Sequence, residues 1–363
     1  MQTQRVRYAI IGIGAGVFNM HRKALQLPEI NLVAGSDIQV EVGERRAHEL
    51  QCAFYADYQQ LLREVQPDVA VIIVPHTFHK AIALDCLRSG AHVLVEKPMA
   101  LQVQDADTMI DVAASSGRKL GVVFQHRFRP EIRAARKILQ DGTLGTLQHI
   151  SLQAVWPRTA SYFAQAGWRG TWKGEGGGVL MNQAAHNLDL LCHLAGMPAR
   201  VSAWTRRLVH QIQAEDTVQA MLEWPGGALG SVHISTAETG LSEQIEIVGT
   251  GGHLTITPGK LALHLLAVDF KEHAHTHPDP FAVPSEHETP VTLDQEPGDH
   301  VAVYRAFNQA ILQGSEYYNT DGQQGRMSLE LANAMILSNY SQGIVEFPLD
   351  RQRYADLLHH LQA

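Results

Sequence analysis

His92-Val93-Leu94-Val95-Glu96-Lys97-Pro98-Met99-Ala100 is the stretch on which the reading of this chain turns. Its first four residues suit a buried strand, and the chain then delivers a carboxylate, an ammonium and a proline where that strand must stop. In an open sheet of alternating strands and helices, ligands sit at the carboxyl ends of the strands, so a Glu-Lys pair there faces a crevice. Lys97 is the first candidate for chemistry. Taken alone, Glu-Lys-Pro reads as a surface salt bridge after a strand, and the rest of the chain reverses that reading.

Upstream the same punctuation recurs. Tyr8 to Ile13 is a β-branched run feeding Gly12-Ile13-Gly14-Ala15-Gly16, and Met20 to Leu27 shows helical spacing. Strand, glycine turn and helix in that order suit a dinucleotide: the glycines let backbone approach a pyrophosphate that rests on the helix N-terminus. The third glycine of G-x-G-x-x-G would fall at Val17, and Gly16 comes one residue early. Either the turn is remodelled or the helix packs less closely on the strand. A second strand, Asn31 to Ser36, ends at Asp37, twenty-one residues past Gly16. A carboxylate there accepts hydrogen bonds from ribose hydroxyls and repels a 2′-phosphate, favouring NAD over NADP, with Ser36 softening the preference. Val69 to Val74 is a third apolar strand, ending at Pro75-His76-Thr77-Phe78-His79. Helix 79–89 stopped by Gly90, helix 103–116 and strand Lys119 to Phe124 complete an alternation that predicts a parallel sheet with right-handed crossovers.

The totals exclude several classes. At 363 residues two domains are expected, and 45% hydrophobic with 18% charged residues describes a globular protein. A net charge of -8 and a pI near 6.2 leave no cationic excess to neutralise phosphates, so no nucleic-acid partner is expected. The longest apolar runs, such as Val69 to Pro75, are strand-length, so no membrane span is expected. Met1 to Arg5 leads straight into a strand, which predicts no signal peptide. Cys52, Cys86 and Cys192 are odd in number, far apart and set in apolar surroundings, as free buried thiols of a reducing cytoplasm would be.

After Pro130 a basic helix runs to Gln140, and from 144–156 and 199–267 the pattern becomes alternating or β-branched, broken by Gly and Pro. The fold class expected is an α/β Rossmann dinucleotide-binding domain over 1–125, then an α+β C-terminal domain over 126–363 with a large, mostly antiparallel sheet. Within it, Gly176-Gly177-Gly178 gives a flexible approach to a helix that would set Asn182, His186 and Asp189 at i, i+4 and i+7 on one face. Amide, imidazole and carboxylate together suit sugar hydroxyls, while a solvated helix face with a satisfied histidine suits the same pattern. His300 opens a helix over 300–313, while an amphipathic helix 325–342 and a closing strand Val345 to Leu349 look structural. His273-Ala274-His275-Thr276-His277 would aim three imidazoles to one side of a strand, but beside Pro278 and Pro280 a loop or exposed strand edge is favoured over a metal site. Cys192 and His193 read as the buried and flanking side of the helix, not as a nucleophile pair.

Gly12-Ile13-Gly14, Asp37, the Pro75-to-His79 turn, Glu96-Lys97-Pro98 and Arg127-Phe128-Arg129-Pro130 fall in an order and spacing that resembles the Gfo/Idh/MocA oxidoreductases, over nearly the whole chain. The resemblance implies that Lys97 lies beside nicotinamide and substrate, that the Lys97–Pro98 bond is cis, and that His186 pairs with Lys97 for proton transfer. Many members carry Asp where this chain has Asn182, and a branch including nucleotide-sugar dehydrogenases shares the Asn. An amide cannot act as a base and brings no charge to support the histidine, so Asn182 is expected to position a hydroxyl or orient His186. Trp168-Arg169-Gly170-Thr171-Trp172 is similar to a Trp-Arg stretch at the family's site mouth, and His300 matches a substrate-bordering position.

The expected catalytic pair is Lys97 and His186. Expected at the cofactor are Gly12, Gly14, Gly16, Val17, Phe18, Asp37, Pro75, His76, His79, Glu96, Lys97 and Gln125; at the substrate, Arg127, Trp168, Arg169, Trp172, Asn182, His186, Asp189 and His300; at a metal, none. The function implied is NAD-dependent interconversion of a secondary alcohol and a ketone on a sugar, sugar derivative or cyclic polyol. An NAD-using glycoside hydrolase of the same fold and a non-catalytic NAD-binding sensor are the alternatives. The open face of the second sheet would need cover, for which a dimer or tetramer is the simplest supply.

Overall fold

The structure is a computed structural model describing residues 5–315 and 318–363. The signal-peptide reading rested on Met1 to Arg5, and of these Met1–Gln4 lie outside the described residues.

Among the described residues six strands form the first sheet: β1 (Val6–Ile11), β2 (Ile30–Ser36), β3 (Ala53–Tyr55), β4 (Val69–Ile72), β5 (His92–Val95) and β6 (Leu120–Val122). They lie parallel in the order β3-β2-β1-β4-β5-β6, which is doubly wound about β1 and β4. Tyr8, Ala9 and Ile10 of β1 and all of β4 are buried, because helices cover both faces and leave no side on which a polar residue would be solvated. The expected helix over Met20–Leu27 is instead one turn, Phe18–His21, and a 3-10 turn, Ala24–Gln26, ended by Leu27 before Pro28.

The second sheet joins β7 (Leu147–Val155), β8 (Arg200–Arg206), β9 (Thr217–Glu223), β10 (Leu229–Ser235), β11 (Gln244–Gly249), β12 (Gly252–Thr257), β13 (Lys260–Leu266), β14 (Glu286–Glu288) and β15 (Val345–Glu346). Among the described residues its order is β14-β13-β12-β11-β7-β10-β9-β8-β15, and β7–β10 is its parallel pair. Alternation within β9 buries Val218, Ala220 and Leu222 and turns Gln219 and Met221 outward, so one face is core and the other is open.

Two helices tie the halves together. His300–Gln313 carries Val303, Tyr304 and Phe307 into the core beside Tyr8, Ile10 and Val71. Gly322–Ser341, expected to be amphipathic, is buried along most of its length between β8, helix Ala185–Ala195 and helix Val103–Ser115. The closing strand shrinks to Val345–Glu346, since Pro348 has no N–H to extend a ladder. Helix Arg351–Gln362, which no sequence pattern announced, ends the chain.

Candidate active site

β5 delivers Glu96 and Lys97 at its carboxyl end, followed by a cis Lys97–Pro98 bond. Fully buried His79 clamps this turn, with Nδ1 2.8 Å from the Pro98 carbonyl and Nε2 2.9 Å from that of Val74. Both ring nitrogens lie against backbone carbonyls, so His79 braces this turn.

Glu96 is buried between two histidines: Oε1 lies 3.1 Å from His21 Nε2 and 3.9 Å from His300 Nε2. His21 Nδ1 rests on the Tyr304 hydroxyl at 2.9 Å. Burial would lift the Glu96 carboxyl, but the His21 hydrogen bond and the nearby His300 outweigh it and hold the group well below the ordinary carboxylate range. The ligand atoms of His21, Glu96 and His300 lie within 4.8 Å of one another. The Tyr304–His21–Glu96 hydrogen bonds pair these groups with each other.

Lys97 Nζ reaches across to the second half of the chain, 2.9 Å from the Asn182 carbonyl and 3.5 Å from Asn182 Oδ1. Asn182 Nδ2 turns away to the Glu175 carboxylate and, at 3.3 Å, the Tyr162 hydroxyl. The other oxygen of Glu175 accepts the Gly170 N–H, and burial pushes this carboxyl up to about 7. Four residues on from Asn182, His186 stacks on His126 with ring centroids 4.2 Å apart, its Nε2 3.4 Å from the Gln125 amide nitrogen. Its Nδ1 is buried with no protein partner. Burial first, then His126 and the Lys97 ammonium, keep His186 well below the usual imidazole value, so it is neutral at pH 7. Burial also lowers Lys97, while Glu96 and Glu175 pull it back up.

The glycine turn fits a dinucleotide. Gly12 has φ +96°, and a Cβ there would meet the Ile73 carbonyl oxygen at 2.8 Å, so the turn needs glycine. The Gly14 N–H donates to Asp37 Oδ2 at 2.7 Å and that of Gln39 to Oδ1 at 2.8 Å, which fixes the carboxylate at the end of β2 beside the turn. A Cβ on Gly16 meets open space, so packing does not demand this glycine and the place of the third one is left to half-buried Val17. Arg46 braces the turn by donating to the Ile13 and Ala15 carbonyls at 3.1 Å, its guanidinium over the ring of Phe18. Across the β5 end, His76 meets the edge of Trp168 at 5.2 Å, with its Nδ1 buried and unpaired.

Two family descriptions divide the chain between them: an oxidoreductase family with an NAD-binding Rossmann fold over residues 6–124, and a GFO/IDH/MocA C-terminal domain over 132–255. The chain belongs to the Gfo/Idh/MocA oxidoreductase family. It is 30% identical over 253 residues to trans-1,2-dihydrobenzene-1,2-diol dehydrogenase of Bos taurus, covering 68% of this chain and 72% of that one. It is 29% identical to D-glucoside 3-dehydrogenase of Escherichia coli K12, over 55% of this chain and 56% of the relative. The WlbA dehydrogenase of Bordetella pertussis, solved with NADH and UDP-GlcNAcA, superposes with a TM-score of 0.81 at 26% identity, over 95% of this chain and all of that one. This Gfo/Idh/MocA member is thus an oxidoreductase with a Rossmann domain for NAD(H), and no helix of its described residues is long and apolar enough to cross a membrane.

Several expected site residues of this family member lie elsewhere. Asn182 precedes the helix, which begins at Ala185, because the chain from Gly176 to Ala184 is a run of turns. Those glycines are packed, not flexible: a Cβ on Gly178 would fall 1.9 Å from the Glu215 carbonyl oxygen. Asp189 points into the protein and pairs with Arg127, both fully buried, so neither side chain faces a substrate. Trp172 is buried against Tyr340, and Phe18 is core, its backbone alone remaining near the turn. Arg169 lies 4.1 Å over the Tyr162 ring and donates to the Tyr162 carbonyl at 2.8 Å, which leaves it a brace for that aromatic. His300 is buried and faces Glu96. Cys52 is half-buried, unlike Cys86 and Cys192. His273, His275 and His277 fall on and just after an exposed helix, Phe270–Thr276, where a strand edge or loop was expected. His21, His126, Tyr162 and Glu175 carry no motif that marks them in the sequence and matter through what they touch.

Proposed function

We propose that this chain is an NAD(H)-dependent dehydrogenase that interconverts a secondary alcohol and a ketone on a sugar, sugar derivative or cyclic polyol. The observation that supports it is the approach of Lys97, from the end of β5, to the segment leading into His186, with His186 held neutral beside that ammonium. NAD, when bound, supplies the hydride acceptor. The residues of the chain must then handle the hydroxyl proton. His186 is the general base: it is neutral, with Nε2 3.4 Å from the Gln125 amide nitrogen and Nδ1 without a protein partner. Lys97 directs its ammonium at the reacting oxygen and stabilises the alkoxide as the hydride departs. Trp168, at the rim, offers an apolar face for a sugar ring, and Asn182 holds a hydroxyl.

Asp37 gives NAD preference over NADP, since its carboxylate would lie against a 2′-phosphate. Free thiols fit the cytoplasm. The outward residues Trp204 and Met221 on the second sheet give a dimer or tetramer its contact surface.

The test is a panel of inositols, free pyranoses, anhydro-sugars and nucleotide sugars, followed at the NADH absorbance with NADP as control. Stoichiometric NADH from one class of alcohol is expected. Sugar release without NADH accumulation would replace this reading with oxidation and re-reduction in one cycle, and NAD binding without turnover on any alcohol would overturn it.

A further inference from the structure

Asn182 has a direction imposed on it. Glu175 is 1% exposed, in the short helix Trp172–Glu175, and holds the Asn182 amide nitrogen on one carboxylate oxygen while the Gly170 N–H holds the other. With its nitrogen committed to Glu175 and Tyr162, the amide can present to Lys97 nothing but its oxygen. A carboxylate, an amide and an ammonium thus stand in line, donor to acceptor at each step.

We propose that Glu175 is a positioning residue for the reaction: as a carboxylate it aims the Asn182 oxygen at Lys97 and keeps Lys97 an ammonium, and as a neutral carboxyl it releases that amide. This rests on the reading of Lys97 as a reacting-site group. When Glu175 takes a proton its O–H can donate to the Asn182 oxygen, and the amide then turns its N–H groups toward the cation they would repel. The groups facing this carboxyl are Lys97, which favours its charge, and Glu215, which opposes it. The His76 ring approaches the Glu175 backbone, and the Tyr162 hydroxyl shares Asn182. Arg169 stands beyond, over the Tyr162 ring. Burial sets the changeover at about 7, so the line is made above neutrality and broken below it.

The direct experiment follows the Lys97 amine itself, by competitive acetylation against pH with mass-spectrometric readout, in wild type and Glu175→Gln. The variant should lower the proton affinity of Lys97 about tenfold, as expected when a nearby opposite charge is removed. Asn182→Ala, which keeps the carboxylate and breaks the link, should shift Lys97 in the same direction, and Glu175→Gln with Asn182→Asp should restore it. Unchanged Lys97 titration in a folded Glu175→Gln protein, or in Asn182→Ala, overturns the proposal. In turnover, Glu175→Gln should lose the wild-type acid limb near pH 7; an unaltered limb counts against it. Wild type inactive on every alcohol would refute the dehydrogenase reading, while the labelling would still decide the role of Glu175.

Discussion

Arg127 and Asp189 face each other as a fork, Nε to Oδ2 at 2.8 Å and Nη2 to Oδ1 at 2.6 Å, with neither side chain exposed. Arg127 lies in the 3-10 turn Gln125–Phe128 before the helix Pro130–Gln140 and Asp189 in the helix Ala185–Ala195, and the guanidinium also donates to the Asn319 carbonyl at 2.6 Å. The pair therefore ties the turn after the first sheet to the helix that carries His186. Removing the carboxylate leaves a buried guanidinium without this counter-charge. Asp189→Ala should cost about 3–5 kcal/mol in denaturant unfolding, as for other broken buried pairs. A loss under about 1 kcal/mol would show that the fork is solvated.

Asp37 is held by two backbone N–H groups at the end of β2, so its charge stays where an adenosine ribose would lie. Asp37→Ser should raise kcat/KM with NADP relative to NAD by about tenfold or more, as removing a repulsion worth about 1.4 kcal/mol requires. An unchanged ratio would mean that another group selects the cofactor.

Acid should weaken this protein through a buried histidine. His193 is pushed down to about 3 by burial, then by Arg127 and Arg136, whereas the unfolded side chain titrates near 6.5. A depressed histidine takes up its proton more readily when unfolded, so its contribution is intact above 6.5 and is lost as pH falls from there toward 3. Between pH 6.5 and 5 one such group costs about 1–2 kcal/mol, so Tm should fall over that range and fall less in His193→Gln. Equal slopes in the two proteins would exclude His193 as a source.

The first sheet was legible because its strands are buried on both faces: Val69 to Val74 is apolar at every position, and periodicity needs no partner to be read. Gly12, Asp37 and Lys97 were legible for a related reason, as each stands at the carboxyl end of such a strand. The stripe of Asn182, His186 and Asp189 misled because helical spacing presumes a helix. Contact of Gly178 with Glu215 holds the backbone in turns up to Ala184, and the helix that follows is buried on nearly all sides, which sends Asp189 inward to Arg127. Glu175 was invisible for the opposite reason: a lone acid before three glycines has no pattern, and its meaning lies in an amide seven residues away.

Whether Lys97 and His186 share one alcohol beside the nicotinamide is decided by steady-state turnover of Lys97→Ala and His186→Ala on the best alcohol of the panel, with NADH affinity measured on the same preparations. Each substitution should lower kcat about 10²-fold or more while NADH binding stays close to that of wild type. Wild-type turnover in either variant would rule out a shared proton-transfer role for Lys97 and His186.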